Sequence, residues 1–104
     1  MPKITLSTGK EFEIVPEKYS DYMAYLEEIF TLSDDVKNEK DFDKAQIKLQ
    51  MLTSSLFTLE KRYQQQKLQK CVVNCELSEM SVLESNELLQ AIDDLSKPKI
   101  EEKN

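Results

Sequence analysis

Few residues in this chain could do chemistry. Cys71 and Cys75 are spaced Cys-x-x-x-Cys, which on a helix would set both thiols on one face. Two thiolates make half a zinc site, and with no other Cys and no His in the chain the usual donors cannot complete it. The pair reads as two inert or redox-sensitive thiols. Carboxylates stand side by side at Glu27-Glu28, Asp34-Asp35 and Asp93-Asp94. Adjacent residues diverge around a helix rather than converge on a substrate, so these read as solvated charges. Asp34-Asp35 with Asn38 and Glu39 lacks the glycine and the register of a calcium loop. The single glycine, Gly9, leaves no phosphate-cradling loop. Without histidine the usual general base is missing too. The expectation is a protein that is not an enzyme and holds no metal or cofactor.

The elements around these residues follow from spacing. Asp41–Gln66 carries apolar residues at Phe42, Ala45, Leu49, Leu52, Leu56, Leu59 and Tyr63, in steps of three and four. That is one stripe of a long helix, expected over 41–70. Ile47, Met51 and Phe57 lie off the stripe and widen the apolar surface beyond a two-stranded seam. The flanking positions carry no regular charge pattern, so a specific zipper is weakly encoded. Thr53-Ser54-Ser55 are poor helix formers whose small size permits close approach of another element.

Before that helix, Ile4 and Leu6, then Phe12 and Ile14, alternate with polar residues around Ser7-Thr8-Gly9-Lys10. This predicts a β-hairpin over 3–15 with Gly9 in the turn. One hairpin is marginal alone, so its apolar face must lie on helices or pair with a neighbouring subunit. Tyr22, Leu26, Ile29 and Phe30, widened by Tyr19, Met23 and Tyr25, predict a helix over about 20–32, capped by Ser20. Ser33–Lys40 is polar and reads as a loop, with Asn38 or Asp41 capping the long helix. Cys71–Cys75 fits a short strand or a helix end. A helix over 85–96 follows, with Leu88, Leu89, Ile92 and Leu95 inward and Glu87, Gln90, Asp93 and Asp94 outward, and Ser81–Glu84 fits a capping box. Residues 97–104 read as a charged flexible tail. The fold class is therefore mainly α: a short N-terminal β-hairpin followed by a three-helix body with one long central helix, a single domain over 1–96.

The net charge of −6 is unevenly spread. Residues 1–40 hold 5 basic and 9 acidic groups, residues 41–70 hold 6 and 3, and residues 71–104 hold 3 and 8. A basic middle between acidic flanks predicts mutual packing, or an exposed basic stripe for an acidic partner. No dominant basic patch with interleaved aromatic residues points to nucleic acid. The opening MPKITLSTG lacks the apolar run of a signal peptide, and no stretch approaches membrane-spanning length. Reduced cysteines in a cytoplasm are the corresponding expectation. Tyr22, Tyr25, Phe30, Met51 and Phe57 are the candidate partner-contacting residues, as aromatic and methionine side chains suited to apolar contact.

The opening ITLSTGKEFEI, the acidic helical body, and the late stretch LSEMSVLESNELLQAI before a charged end resemble the tail assembly chaperones of long-tailed phages of Gram-positive hosts. The resemblance implies a non-enzymatic protein of the infected host cytoplasm. It would bind and solubilise the tape-measure protein, assist recruitment of tail-tube protein, and act as a homo-oligomer. A different class, a small acidic phage- or plasmid-encoded inhibitor of a basic site on a host protein, fits the acidic flanks. A structural adaptor that dimerises through the central helix is a third.

Overall fold

A computed structural model describes residues 2–97. Two strands, β1 (Lys3–Thr5) and β2 (Glu11–Glu13), are followed by helices α1 (Tyr19–Lys37), α2 (Phe42–Cys71) and α3 (Val82–Ser96), with one 3-10 turn at Leu77–Glu79. The mainly helical class with an N-terminal hairpin and a long central helix is as the spacing predicts. The flexible-tail expectation for 97–104 lies, beyond Lys97, outside the described residues. The chain divides into two compact units: Met1–Glu17 with Gln66–Asn104, and Lys18–Gln65.

The first unit holds the core. Strands β1 and β2 pair antiparallel, Lys3 opposite Glu13, Ile4 opposite Phe12 and Thr5 opposite Glu11. Gly9 takes φ 88°, a left-handed conformation that most side chains resist, and its N–H donates to the Leu6 carbonyl at 2.9 Å. Of the two ways to cover the hairpin's apolar face, this chain uses its own helices. Leu6 and Ile14 join Leu68, Cys71 and Val72 from the end of α2 and Leu88 and Ile92 from α3 in one buried cluster. Ile4, Phe12, Leu89 and Leu95 pack around it. The outer edge of β2 is not left for a second subunit either. Val73 N–H donates to the Glu13 carbonyl at 2.9 Å, Val15 N–H donates to the Cys71 carbonyl at 2.8 Å, and Ile14 bridges Val72. Cys71–Val73 is thus both of its expected alternatives at once, a helix end that continues as a strand-like edge. Asn74 then turns the chain at φ 56°, a conformation asparagine tolerates.

Helix α3 begins three residues before its expected start. Ser81 accepts from Glu84 N–H at 3.1 Å and Glu84 accepts from Ser81 N–H at 3.1 Å, a complete capping box. Two α3 acids also hold the hairpin turn. Glu84 accepts from Thr8 Oγ1 at 3.1 Å and lies 3.4 Å from Lys10 Nζ. Glu87, expected to face outward, accepts from both the hydroxyl and the N–H of Ser7. The Ser81 N–H, then Thr8, hold the Glu84 carboxyl below its ordinary 4.5, and the Ser7 hydroxyl and N–H do the same for Glu87. A carboxylate depressed by folding contributes stability above its unfolded pKa that is lost as pH falls through the folded one. The urea midpoint should therefore hold steady from neutral pH down to about 5 and fall below that. Glu84→Gln with Glu87→Gln should start lower at neutral pH and show a flatter acid limb; parallel limbs would contradict the assignment.

The second unit comprises α1 and the first six turns of α2. Helix α1 extends to Lys37, beyond the predicted end near Leu32, because Val36 continues the Tyr25, Ile29, Leu32 stripe and Asp35 is drawn to Lys48 at 3.1 Å. Lys48 also meets Glu39 at 3.1 Å. Asp35 and then Glu39 raise the lysine pKa, and Lys48 lowers that of Glu39. Lys18 rather than Ser20 precedes the first turn of α1, with no side-chain cap. Asp41 caps α2, accepting from Lys44 N–H at 3.0 Å. The rings of Tyr25 and Tyr63 stack with centroids 3.9 Å apart and planes within 1°.

Candidate protein-interaction surface

What the second unit lacks is an interior. Among the described residues of Lys18–Gln65, Leu59 is the one buried side chain, and α1 buries none. Tyr19, Tyr22, Phe30, Phe42, Ile47, Leu49, Met51 and Phe57 are all exposed. Scattered exposed apolar residues need no explanation, but so many on two helices single this unit out as the candidate contact surface.

The exposed residues follow from the helical period. At 100° per residue, α1 carries two stripes. Tyr25, Ile29, Leu32 and Val36 form the half-buried one. Tyr19, Met23, Leu26 and Phe30, in steps of 4, 3 and 4, form a second about 100° around the helix, from half-buried Met23 and Leu26 to Tyr19 at 75% exposure. Glu27 and Asp34 run along its outer side by the same count. On α2, Ala45, Leu52, Leu56, Leu59 and Tyr63 are half-buried or buried as the stripe predicts. Phe42 and Leu49, expected in it, are exposed. Phe57 is 60% exposed, with Lys61 Nζ 5.3 Å from its ring centre.

A groove of about 480 Å³ runs between the helices. Leu32 and Leu59 line it together with Thr31, Ser54, Ser55 and Thr58, and Glu28 and Arg62 flank it. The small side chains at 54, 55 and 58 are what leave the space, as the run Thr53-Ser54-Ser55 suggests. Thr31 and Thr58 direct their hydroxyls to the carbonyls of Glu27 and Ser54, at 2.9 and 3.1 Å. Those two hydroxyls are turned to their own helices, which leaves Ser54, Ser55, Glu28 and Arg62 as the remaining polar side chains of the groove.

The five candidate contact residues do not converge on one patch. Phe30 and Phe57 are exposed, and Met51 is exposed beside the groove on another side of α2. Tyr22 is 42% exposed. Tyr25 is half-buried in its stack on Tyr63. Sequence reasoning grouped Tyr22, Leu26, Ile29 and Phe30, widened by Tyr19, Met23 and Tyr25, and did not separate the Tyr19–Phe30 stripe from the inner one. The signal was present in the spacing, since the apolar residues of α1 fall into two registers.

The other candidate chemistry lies in the first unit. Cys71 is buried and Cys75 half-buried, neither in a disulfide, and burial pushes the Cys75 thiol up. Among the described residues no group of three or more His, Cys, Asp or Glu could hold a metal ion, and no helix is long and apolar enough to cross a membrane. Comparisons with protein-family models, curated proteins and solved structures give no match.

Proposed function

We propose that this chain is a non-enzymatic binding protein that shields an apolar helical segment of a client, and that it does so as a tail assembly chaperone for a phage tape-measure protein in the host cytoplasm. The observation that carries the reading is the second stripe of α1, half-buried at Met23 and Leu26 and exposed at Tyr19 and Phe30, on a helix with no fully buried side chain. A holdase needs apolar contact surface on a body that folds without it, and here the closed core lies elsewhere, in the hairpin, the end of α2 and α3. An amphipathic client helix laid along the stripe would cover it by the helix-in-groove mode. Glu27 and Asp34 beside the stripe favour clients whose apolar face has basic margins. Recruitment of tail-tube protein would follow client binding. The alternative of an acidic inhibitor has less support, because Glu84, Glu87, Asp93, Asp35 and Glu39 are engaged within the chain.

Co-expression with the long helical tape-measure protein of the same genome tests this. The expected result is a severalfold gain in soluble client, lost with Phe30→Ser plus Tyr19→Ser while the variant keeps the melting temperature of the parent chain. No gain with the parent chain would overturn the reading.

A further inference from the structure

Phe42 and Leu49 fall out of the inner stripe of α2 because their spacing drifts. Residues 42, 49 and 56 are spaced by sevens, and a straight helix turns about 20° out of line at each such step. Leu56 is accordingly half-buried, Leu49 is 51% exposed and Phe42 is 74% exposed. The row leaves the α1–α2 contact as it runs back toward the start of α2.

The side it turns to follows from the helical period. The facing stripes are Tyr25, Ile29 and Leu32 on α1 and Leu52, Leu59 and Tyr63 on α2, with Tyr25 stacked on Tyr63. Counted at 100° per residue, the groove residues Glu28 and Thr31, like Ser55, Thr58 and Arg62, lie behind the facing stripe of their own helix. Leu26, Tyr19 and Phe30 lie ahead of it on α1, and Leu49 and Phe42 lie ahead of it on α2. In an antiparallel pair the same sense of rotation leads to the same side on both helices. The α2 row and the second stripe of α1 therefore share the side opposite the groove, and together make one apolar face two helices wide.

We infer that this face binds a single amphipathic helix of the client, lying over the seam between α1 and α2 with basic residues along the margin it lays on α1. The inference rests on the client reading and adds α2 to it as a second wall. A helix with its side chains is about 10 Å across, close to the spacing of packed helices, so one laid over the seam touches both rows. Charge decides the margin. Glu27 and Asp34 border the face on α1, and neither is in an ion pair among the described residues. The α2 border is Gln46, Gln50 and Phe57, with Asp43 and Lys61 offsetting each other at its two ends. A second copy is the poorer occupant, since its own face carries Glu27, Asp34 and Glu60 against Lys37 and Lys61.

Two synthetic helical peptides of leucine and glutamine, one with lysine and one with glutamate along the same margin, serve as probes of the full chain in fluorescence anisotropy. The lysine peptide should bind about tenfold tighter, and Glu27→Lys with Asp34→Lys should reverse the order. Leu49→Ser should weaken the lysine peptide about tenfold, as Phe30→Ser does. Ile47→Ser, on the groove side of α2 and 57% exposed, should leave it unchanged. All these sites are exposed, and circular dichroism confirms that the helices persist. Weakening by Phe30→Ser with none by Leu49→Ser would overturn the two-helix site and leave the client reading standing. Equal binding of the two peptides would overturn the basic margin. A dimer that Leu49→Ser dissociates, with peptide affinity unchanged, would give the face to a second copy and overturn the inference. Failure of the client reading shows separately, as no gain of soluble client in the co-expression.

Discussion

Leu88→Ala should lower stability by about 3 kcal/mol, the middle of the range for a leucine truncated in a core. Leu88 has no solvent exposure and sits with Ile92 on the inward face of α3, among Leu6, Ile14, Leu68 and Val72. The truncation removes apolar burial and leaves a cavity. The cavity cannot easily close, because the hairpin on one side is tied down by its register with Cys71–Val73 and its turn is held by Glu84 and Glu87. Small domains are stable by only about 5–15 kcal/mol in total, so this is a large share. For a chain of this size the loss corresponds to a fall in melting temperature of about 12–24 °C. Thermal unfolding followed by circular dichroism at matched concentration measures it. A shift of under about 4 °C, the scale of a 1 kcal/mol change, would mean that the core is not where Leu88 sits. Phe57→Ala, at an exposed site on α2, is the control and should move the melt little.

Lys67→Met is expected to be the next most damaging change. The Lys67 side chain is 8% exposed, with its ammonium 2.5 Å from Asp93 and 3.9 Å from Glu17. Glu17 is itself only 11% exposed, so replacing the lysine takes a cation away from a nearly buried carboxylate. Breaking such a pair costs about 3–5 kcal/mol when both partners are buried. Asp93 is 47% exposed and regains hydration, which reduces the expected loss to about 2 kcal/mol. The informative comparison is Lys67→Met combined with Glu17→Gln, because removing both charges of a buried pair can be nearly neutral. The double variant should recover much of the stability lost by Lys67→Met in a urea double-mutant cycle. Additive losses would show that the lysine acts by packing its stem alone.

The same lysine shows where sequence reading stops. Lys67 reads as a surface cation near the negative end of a long helix, and Gln64–Gln66 reads as the place where the apolar stripe fades. In the structure the inward positions of α2 change from half-buried Ala45, Leu52, Leu56 and Tyr63 with buried Leu59 to buried Lys67, Leu68 and Cys71. A single stripe drawn through one helix assumes one neighbour, and α2 serves two units with different sides. Glu87 and Asp93 read as outward acids for a related reason. Amphipathic periodicity reports which way a residue faces along its own helix, not that a hairpin turn or a lysine from a distant segment waits there. The features that were legible are those set locally: the Gly9 turn, the Asp41 and Ser81 caps, the long helix and the inward Leu88 and Ile92. The candidate surface was half legible. Phe30, Met51 and Phe57 stand out by composition and period, whereas the groove with Glu28 and Arg62 depends on which helices are paired.

The β2 edge is completed by residues nearly sixty positions further along the chain, Ile14 meeting Val72. Every residue of Lys18–Gln65 therefore lies within a loop that folding of the core must close. A random loop of that length would resist closure through its own disorder. Folded as two antiparallel helices with a short connection, the same segment brings its ends back early and through local contacts. The α1–α2 pair thus acts on the core as a clasp made in advance. A change that only loosens the stacked Tyr25 and Tyr63, far in sequence from Leu6 and Leu88, would slow the joining of the two halves of a core to which neither ring belongs.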